Sequence, residues 1–177
     1  MLLGHVSGSF GVTRCATIPL GPNIESIFYL VLGLPSLRED LTMNISASLT
    51  NRFKSHTVKL ETNGNSKTIQ IAPKNSGFGS SVNGGELLLL SIATCFCNDI
   101  YREAAKRSLS IRGVEVEVMC EFGADGEMGK NFQYTCKIDS DEDKTLINDL
   151  VQHTDRIAEI HNTLRNGVQV VLNATKP

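Results

Sequence analysis

The chain has 177 residues, of which 41% are hydrophobic and 20% charged, with a formal net charge of −2. This length suits one domain with a sizeable core, and the composition excludes disorder throughout. A near-neutral chain with no basic run excludes an electrostatic nucleic-acid surface. No apolar stretch reaches the ~20 residues that a membrane-crossing helix needs.

Residues 1–42 differ from the remainder of the chain: Gly- and Pro-marked turns surround one apolar run, Ile24 to Leu34, cut by Gly33 and Pro35. The first basic residue is Arg14, too late for the positive start of a secretory signal. The expectation is an extension, poorly ordered or translated upstream of a natural start at Met43. The alternative is a short helix over 24–34 docked on the body. Residues 43–177 then form the domain.

Within it, Asn44 to Asn51, His56 to Glu61 and Lys67 to Ile71 carry the alternation and the Ile, Val and Thr content of three short strands. Asn63-Gly64-Asn65 marks a tight hairpin. The stretch from Asn75 to Gly85, rich in Gly, Ser and Asn, reads as a flexible loop. Asn83 to Arg107 reads as a long helix, with Asn83 as N-cap and Glu86 three residues on as its capping-box partner. From Leu87 to Cys97 it is apolar almost all round, which predicts burial on every side. Asp99, Arg102, Glu103, Lys106 and Arg107 then form a polar face.

After the helix, Val114, Val116, Val118, Cys120 and Phe122 alternate with polar residues. Phe132, Tyr134, Cys136 and Ile138 form the apolar face of a return strand, which makes Cys120 and Cys136 candidate cross-strand neighbours. Asp141 to Asp155 reads as a second helix with Leu146, Ile147, Leu150 and Val151 inward. Ile157 to Leu164 adds a further turn or short helix ended by Gly167, and Val168 to Leu172 a last strand. The class is α+β, an antiparallel sheet packed on a long buried helix.

The five cysteines are Cys15, Cys95, Cys97, Cys120 and Cys136. None has CxxC spacing or a zinc-ligand pattern, so no metal or cofactor is expected. An odd, unpatterned set suits a reducing, cytoplasmic compartment. With histidine sparse and no serine nucleophile motif, a thiol is the leading chemical candidate. Cys95 lies about three turns into the helix, where the N-terminal dipole no longer lowers a thiol pKa. Two readings stand for it: a packed core thiol, or a redox thiol activated by a cation brought by tertiary or dimer contacts, with Arg52 the candidate. Cys97 is about 200° further round and cannot meet Cys95. Glu86 is either a cap or an orienting partner for an arginine. His161 reads as structural, satisfying a helix end, and Tyr101 and Phe96 as core.

The stretches ELLLLSIATC at Glu86 to Cys95, RSLSIRGVEVEV at Arg107 to Val118 and HNTLRNGVQVVL at His161 to Leu172 resemble, in that order, the OsmC/Ohr family of osmotically induced and organic-hydroperoxide-resistance proteins. The resemblance spans most of 43–172. It implies an intertwined homodimer and a thiol peroxidase scaffold whose helix cysteine, here Cys95, attacks a small organic hydroperoxide and becomes a sulfenic acid. In active members a second cysteine followed by proline closes a disulfide, which a dithiol reduces. Here those positions read Ala158 and Glu159, so the resemblance implies a divergent member that depends on an external thiol. The family glutamate ten positions before the helix cysteine is here Gly85, with Glu86 one residue later, and its arginine partner matches Arg52 only loosely. The alternative is a non-enzymatic binding or structural module with an inert Cys95.

Overall fold

The computed structural model describes residues 42–173. The expectations for residues 1–42 fall outside these residues, Thr42 excepted, as does Cys15. Of the described residues, 42–47 and 60–67 belong to one compact unit and 48–59 and 68–173 to another.

Three strands open the fold: β1 (Ile45–Arg52), β2 (Ser55–Thr62) and β3 (Asn65–Ile69), in the sheet order β1-β2-β3. The β2–β3 turn is the expected one, with Asn63 and Gly64 both at positive φ, +48° and +80°. Only Val58 of this sheet is buried, while Ile45, Leu49 and Ile69 stand exposed.

Helix α1 (Gly84–Lys106) begins where its sequence says it should. The Asn83 side chain accepts from the Glu86 N–H at 2.9 Å, and the Asn83 N–H donates to Glu86 Oε2 at 2.7 Å, satisfying two donors that a helix start otherwise leaves free. After Arg107 the chain enters a hairpin of β4 (Gly113–Glu121) and β5 (Lys130–Asp139), paired antiparallel. Helix α2 (Lys144–Ile157) comes next, capped by Asp143, and then the short α3 (Glu159–Arg165). Phe96, Ile100 and Ala104 of α1 pack with Leu150 of α2 and Ala158 into a core floored by Val114, Val116, Tyr134, Cys136 and Ile138. Fully burying Phe96, Ile100 and Leu150 contributes ~1.5–3 kcal/mol each.

The structure corrects several expectations, among them the inward face of Leu146, which is exposed. The first half of α1 is not buried on every side: Leu90 is 60% exposed, and Leu87, Leu88 and Leu89 are only half-buried. Its polar half does not all face water, since Asp99 and Glu103 are buried by the ion pairs they make, whereas Tyr101 is exposed. The register sets Val116 opposite Cys136 and leaves Cys120 at an irregularity beside Glu121, so the two cysteines are not cross-strand neighbours. Val168 to Leu172 forms no strand, because no strand among the described residues pairs with it; Val170 and Leu172 are almost wholly exposed.

Candidate functional site

The loop before α1 closes on itself through the Lys74 N–H to Gly79 carbonyl and Ser81 N–H to Ala72 carbonyl bonds, and Asn51 ties it to β1. Asn51, at the end of β1, accepts from the Gly79 N–H at 3.0 Å and donates to the Gly79 carbonyl at 3.3 Å and the Ser55 carbonyl at 3.2 Å. Gly79 adopts φ +103°, a conformation that a residue with a Cβ rarely takes. Phe53 stacks edge-on against Phe78 at 5.6 Å. These contacts tie the loop ahead of α1 to the end of β1. Gly85, in that turn, leaves room for the Phe122 ring: a Cβ there would lie 2.9 Å from Phe122 Cε2 and 3.1 Å from the capping oxygen of Asn83. The glycine at position 85 is therefore matched by an aromatic side chain lying over it.

Cys95 is half-buried on the side of α1 that meets the start of α3. Its Sγ lies 3.6 Å from Asp99 Oδ2, one turn along the same helix, and 3.9 Å from Glu159 Oε2. Asp99 is 3% exposed, and the Arg102 guanidinium holds it at 2.7 Å. Arg102 also reaches Glu103 at 3.2 Å and Glu159 at 3.7 Å, so one cation is shared among three carboxylates. Lys106 closes on Glu103 at 2.7 Å.

Burial pushes the Cys95 thiol above its ordinary range, and the Asp99 and Glu159 carboxylates push the same way; a hydrogen bond from the Ile160 backbone N–H opposes them. Burial, then the charge of Glu159, also raises the Asp99 carboxyl, against the pull of Arg102. The pair thus consists of a protonated thiol directed at a carboxylate whose basicity has moved toward neutrality. The sulfur and the Asp99 and Glu159 oxygens lie within 4.8 Å of one another, a spacing that a cation could bridge, but Arg102 already supplies positive charge beside both carboxylates.

Of the three residues singled out in the sequence, only Cys95 lies in this cluster. Glu86 is engaged in the capping box. Arg52 is exposed at the end of β1 and forms no ion pair with Glu86 or Cys95 among the described residues. Asp99, Arg102 and Glu159 were not read from the sequence as neighbours of Cys95. The i, i+4, i+7 spacing of Cys95, Asp99 and Arg102 was the available signal, since it sets them on one helix face. Ala158 is completely buried at the α2–α3 junction, and Glu159 beside it is the residue that reaches Cys95. Cys97 faces elsewhere, toward Val116. Cys136 is pushed up to about 11 by burial and, secondarily, by nearby Cys97.

A second feature lies on the other side of α3. Leu88 and Ile92 of α1, Val118, Phe122, Phe132 and Tyr134 of the hairpin, and His161, Leu164 and Arg165 of α3 line a cavity of about 490 Å³. His161 does not satisfy a helix end as expected: it is 6% exposed, and neither ring nitrogen has a hydrogen-bond partner.

No curated protein matches the chain. Among solved structures it is similar to an OsmC-like protein from Mycoplasma pneumoniae, at 20% identity and a TM-score of 0.50 over 71% of this chain and 89% of that one. It is also similar to an OsmC-like hydroperoxide resistance protein from Jannaschia sp. CCS1, at 12% identity and a TM-score of 0.43 over 73% and 89%. A third, an OsmC-like protein of unknown function from Vibrio cholerae, has 13% identity and a TM-score of 0.47 over 68% and 92%. At these identities the first likeness speaks for the fold alone. The family described as OsmC-like protein matches residues 77–173, a span that holds α1, the β4–β5 hairpin, both later helices and the Cys95 cluster. That match covers more than half of the sequence, and the chain belongs to the OsmC-like protein family.

Proposed function

We propose that the protein is a homodimeric, one-cysteine thiol peroxidase that reduces organic hydroperoxides at Cys95. The observation that carries this reading is the Cys95–Asp99 pair: a half-buried thiol donating to a buried carboxylate at 3.6 Å. As the sulfur attacks the distal peroxide oxygen, its proton passes to Asp99 and the O–O bond breaks. The departing alkoxide takes that proton, leaving a sulfenic acid on Cys95 and an alcohol. The Ile160 N–H favours the transient thiolate. An external thiol then displaces water from the sulfenic sulfur to form a mixed disulfide. A second external thiol attacks that disulfide and restores Cys95. In the dimer, Arg52 of the second copy is the candidate cation for the sulfur, with the free oxygen of Glu86 to orient it. Arg102 is a positioning residue that holds Asp99.

The second reading is a binding or structural module with an inert Cys95. It is favoured by the upward push on the thiol and by the two carboxylates that surround it. Purified protein treated with cumene hydroperoxide and a monothiol separates the two. The peroxidase reading expects turnover that Cys95→Ser abolishes, Cys97→Ser leaves largely intact and Asp99→Asn slows about 10²-fold, the scale of a lost general base. An absence of sulfenic acid at Cys95 under stoichiometric peroxide would leave the inert module.

A further inference from the structure

The cavity beside α3 is built unlike the Cys95 cluster and does not include Cys95. Its volume, about 490 Å³, lies within the ~300–1,000 Å³ common for small-molecule sites. The walls are Leu88, Ile92, Phe122 and Phe132, and Ile92 is 4% exposed at the base. Gly129 keeps the mouth shaped, since a Cβ there would lie 2.9 Å from both the Phe122 and Phe132 rings.

The polar content of the cavity is narrow. Arg165 is committed to Asp155 at 2.5 Å, and Tyr134 donates its hydroxyl to the same carboxylate. Gln133 also lines the cavity but is exposed. The lining side chain whose buried polar atoms lack a partner is His161, held between Phe96 at 5.4 Å and Tyr134 at 4.8 Å, with neither ring nitrogen paired. Burial, then the charge of Arg165, push its pKa down despite Asp155, so the ring is neutral: one nitrogen donates and the other accepts. Leaving such buried groups unpaired is costly, and a ligand able to pair one of them removes that part of the cost.

We propose that this cavity binds a neutral, largely apolar small molecule carrying one hydroxyl, of the aromatic or medium-chain alcohol class, with His161 as the partner of that hydroxyl. An acid fits poorly, because a neutral imidazole does not balance its charge and the arginine is already paired. A pure hydrocarbon would leave both nitrogens unpaired. Both ring nitrogens are closed off in the unliganded structure, so pairing with the ligand entails a turn of the ring, which no hydrogen bond of its own opposes.

The probes are 2-naphthol and naphthalene, titrated into the full chain and followed by calorimetry and by the imidazole nitrogen resonances of His161. The expected result is saturable 2-naphthol binding that shifts those resonances, with naphthalene about tenfold weaker, the scale of one buried hydrogen bond. In His161→Phe the two probes should bind alike, and Leu88→Trp, which fills the cavity, should bind neither. Equal affinities in wild type, saturation without a His161 shift, or no 2-naphthol binding at millimolar concentration would each overturn the proposal. Should His161→Phe fail to fold, the wild-type comparison and the resonance shift decide alone. All these readings are independent of Cys95 reactivity.

Discussion

Glu159 is the residue at which this site departs most from its sequence pattern. It stands where the resemblance puts a proline, and it sets a carboxylate 3.9 Å from the Cys95 sulfur. Because thiolate is the reactive form, the pH midpoint of Cys95 alkylation should lie above the ordinary thiol value of 9.0. Glu159→Gln removes one of the charges that raise it, so the midpoint of iodoacetamide alkylation at the Cys95 peptide should move to lower pH. An unmoved midpoint would mean that Glu159 does not sense the sulfur in solution. His161 gives the opposite kind of dependence. Its folded pKa lies below the ordinary 6.5, so the unfolded chain binds the proton more readily. Stability should therefore fall as pH drops from about 6.5 toward the folded value, and it should fall less in His161→Phe. Denaturant midpoints across that range check the sign. None of this was legible from residue types alone: Glu159 lies 64 positions from Cys95, and only the fold brings the two together.

Helix boundaries behaved differently, because the signals that set them are local. Asn83 and Glu86 are three residues apart, and their reciprocal hydrogen bonds form whatever the rest of the chain does. Asn83→Ala should cost ~1 kcal/mol in unfolding free energy, measurable in urea with an unchanged m-value. At the other end of the site, Ala158 is the N-cap of α3 and Glu159 its first residue, the position where proline is tolerated best. Ala158→Cys with Glu159→Pro should thus keep the helix and place a second thiol beside Cys95. Peroxide should then yield a disulfide between Cys95 and the introduced thiol, visible by mass spectrometry, and make a dithiol the preferred reductant. No such disulfide would mean that Ala158 does not stand at the position of the second cysteine. The alternation in β4 and β5 was equally legible, as period-two patterning is read off one strand at a time. Their register was not, because the irregularity between Met119 and Glu121 shifts Cys120 away from Cys136.

At the scale of the molecule, much apolar surface is left uncovered. Leu90 on α1, Ile45 and Leu49 on β1, and Val168 to Leu172 beyond α3 are exposed although their patterns are those of buried elements. The core cluster draws on α1, the β4–β5 hairpin, α2 and the α2–α3 junction, and on no residue of the three-stranded sheet. The sequence carried the pattern, and the described residues leave that surface uncovered. A homodimer covering these residues should bury at least ~2,000 Å², mostly apolar. Light scattering at micromolar concentration should give twice the chain mass, and Leu90→Asp should lower it toward that of the monomer. A wild-type monomer under those conditions would remove both the dimer and the role proposed for Arg52.

The exposed run Val168-Gln169-Val170-Val171-Leu172 also bears on how the chain behaves while being made. It is a short, uncharged, β-prone segment without proline, the kind that stacks edge to edge with copies of itself. Until something pairs with it, each newly synthesised chain carries an adhesive end. Recovery of native protein on refolding should therefore fall as concentration rises. Val170→Lys, a charge on the segment's most open side chain, should raise that recovery even though it adds nothing to the folded core.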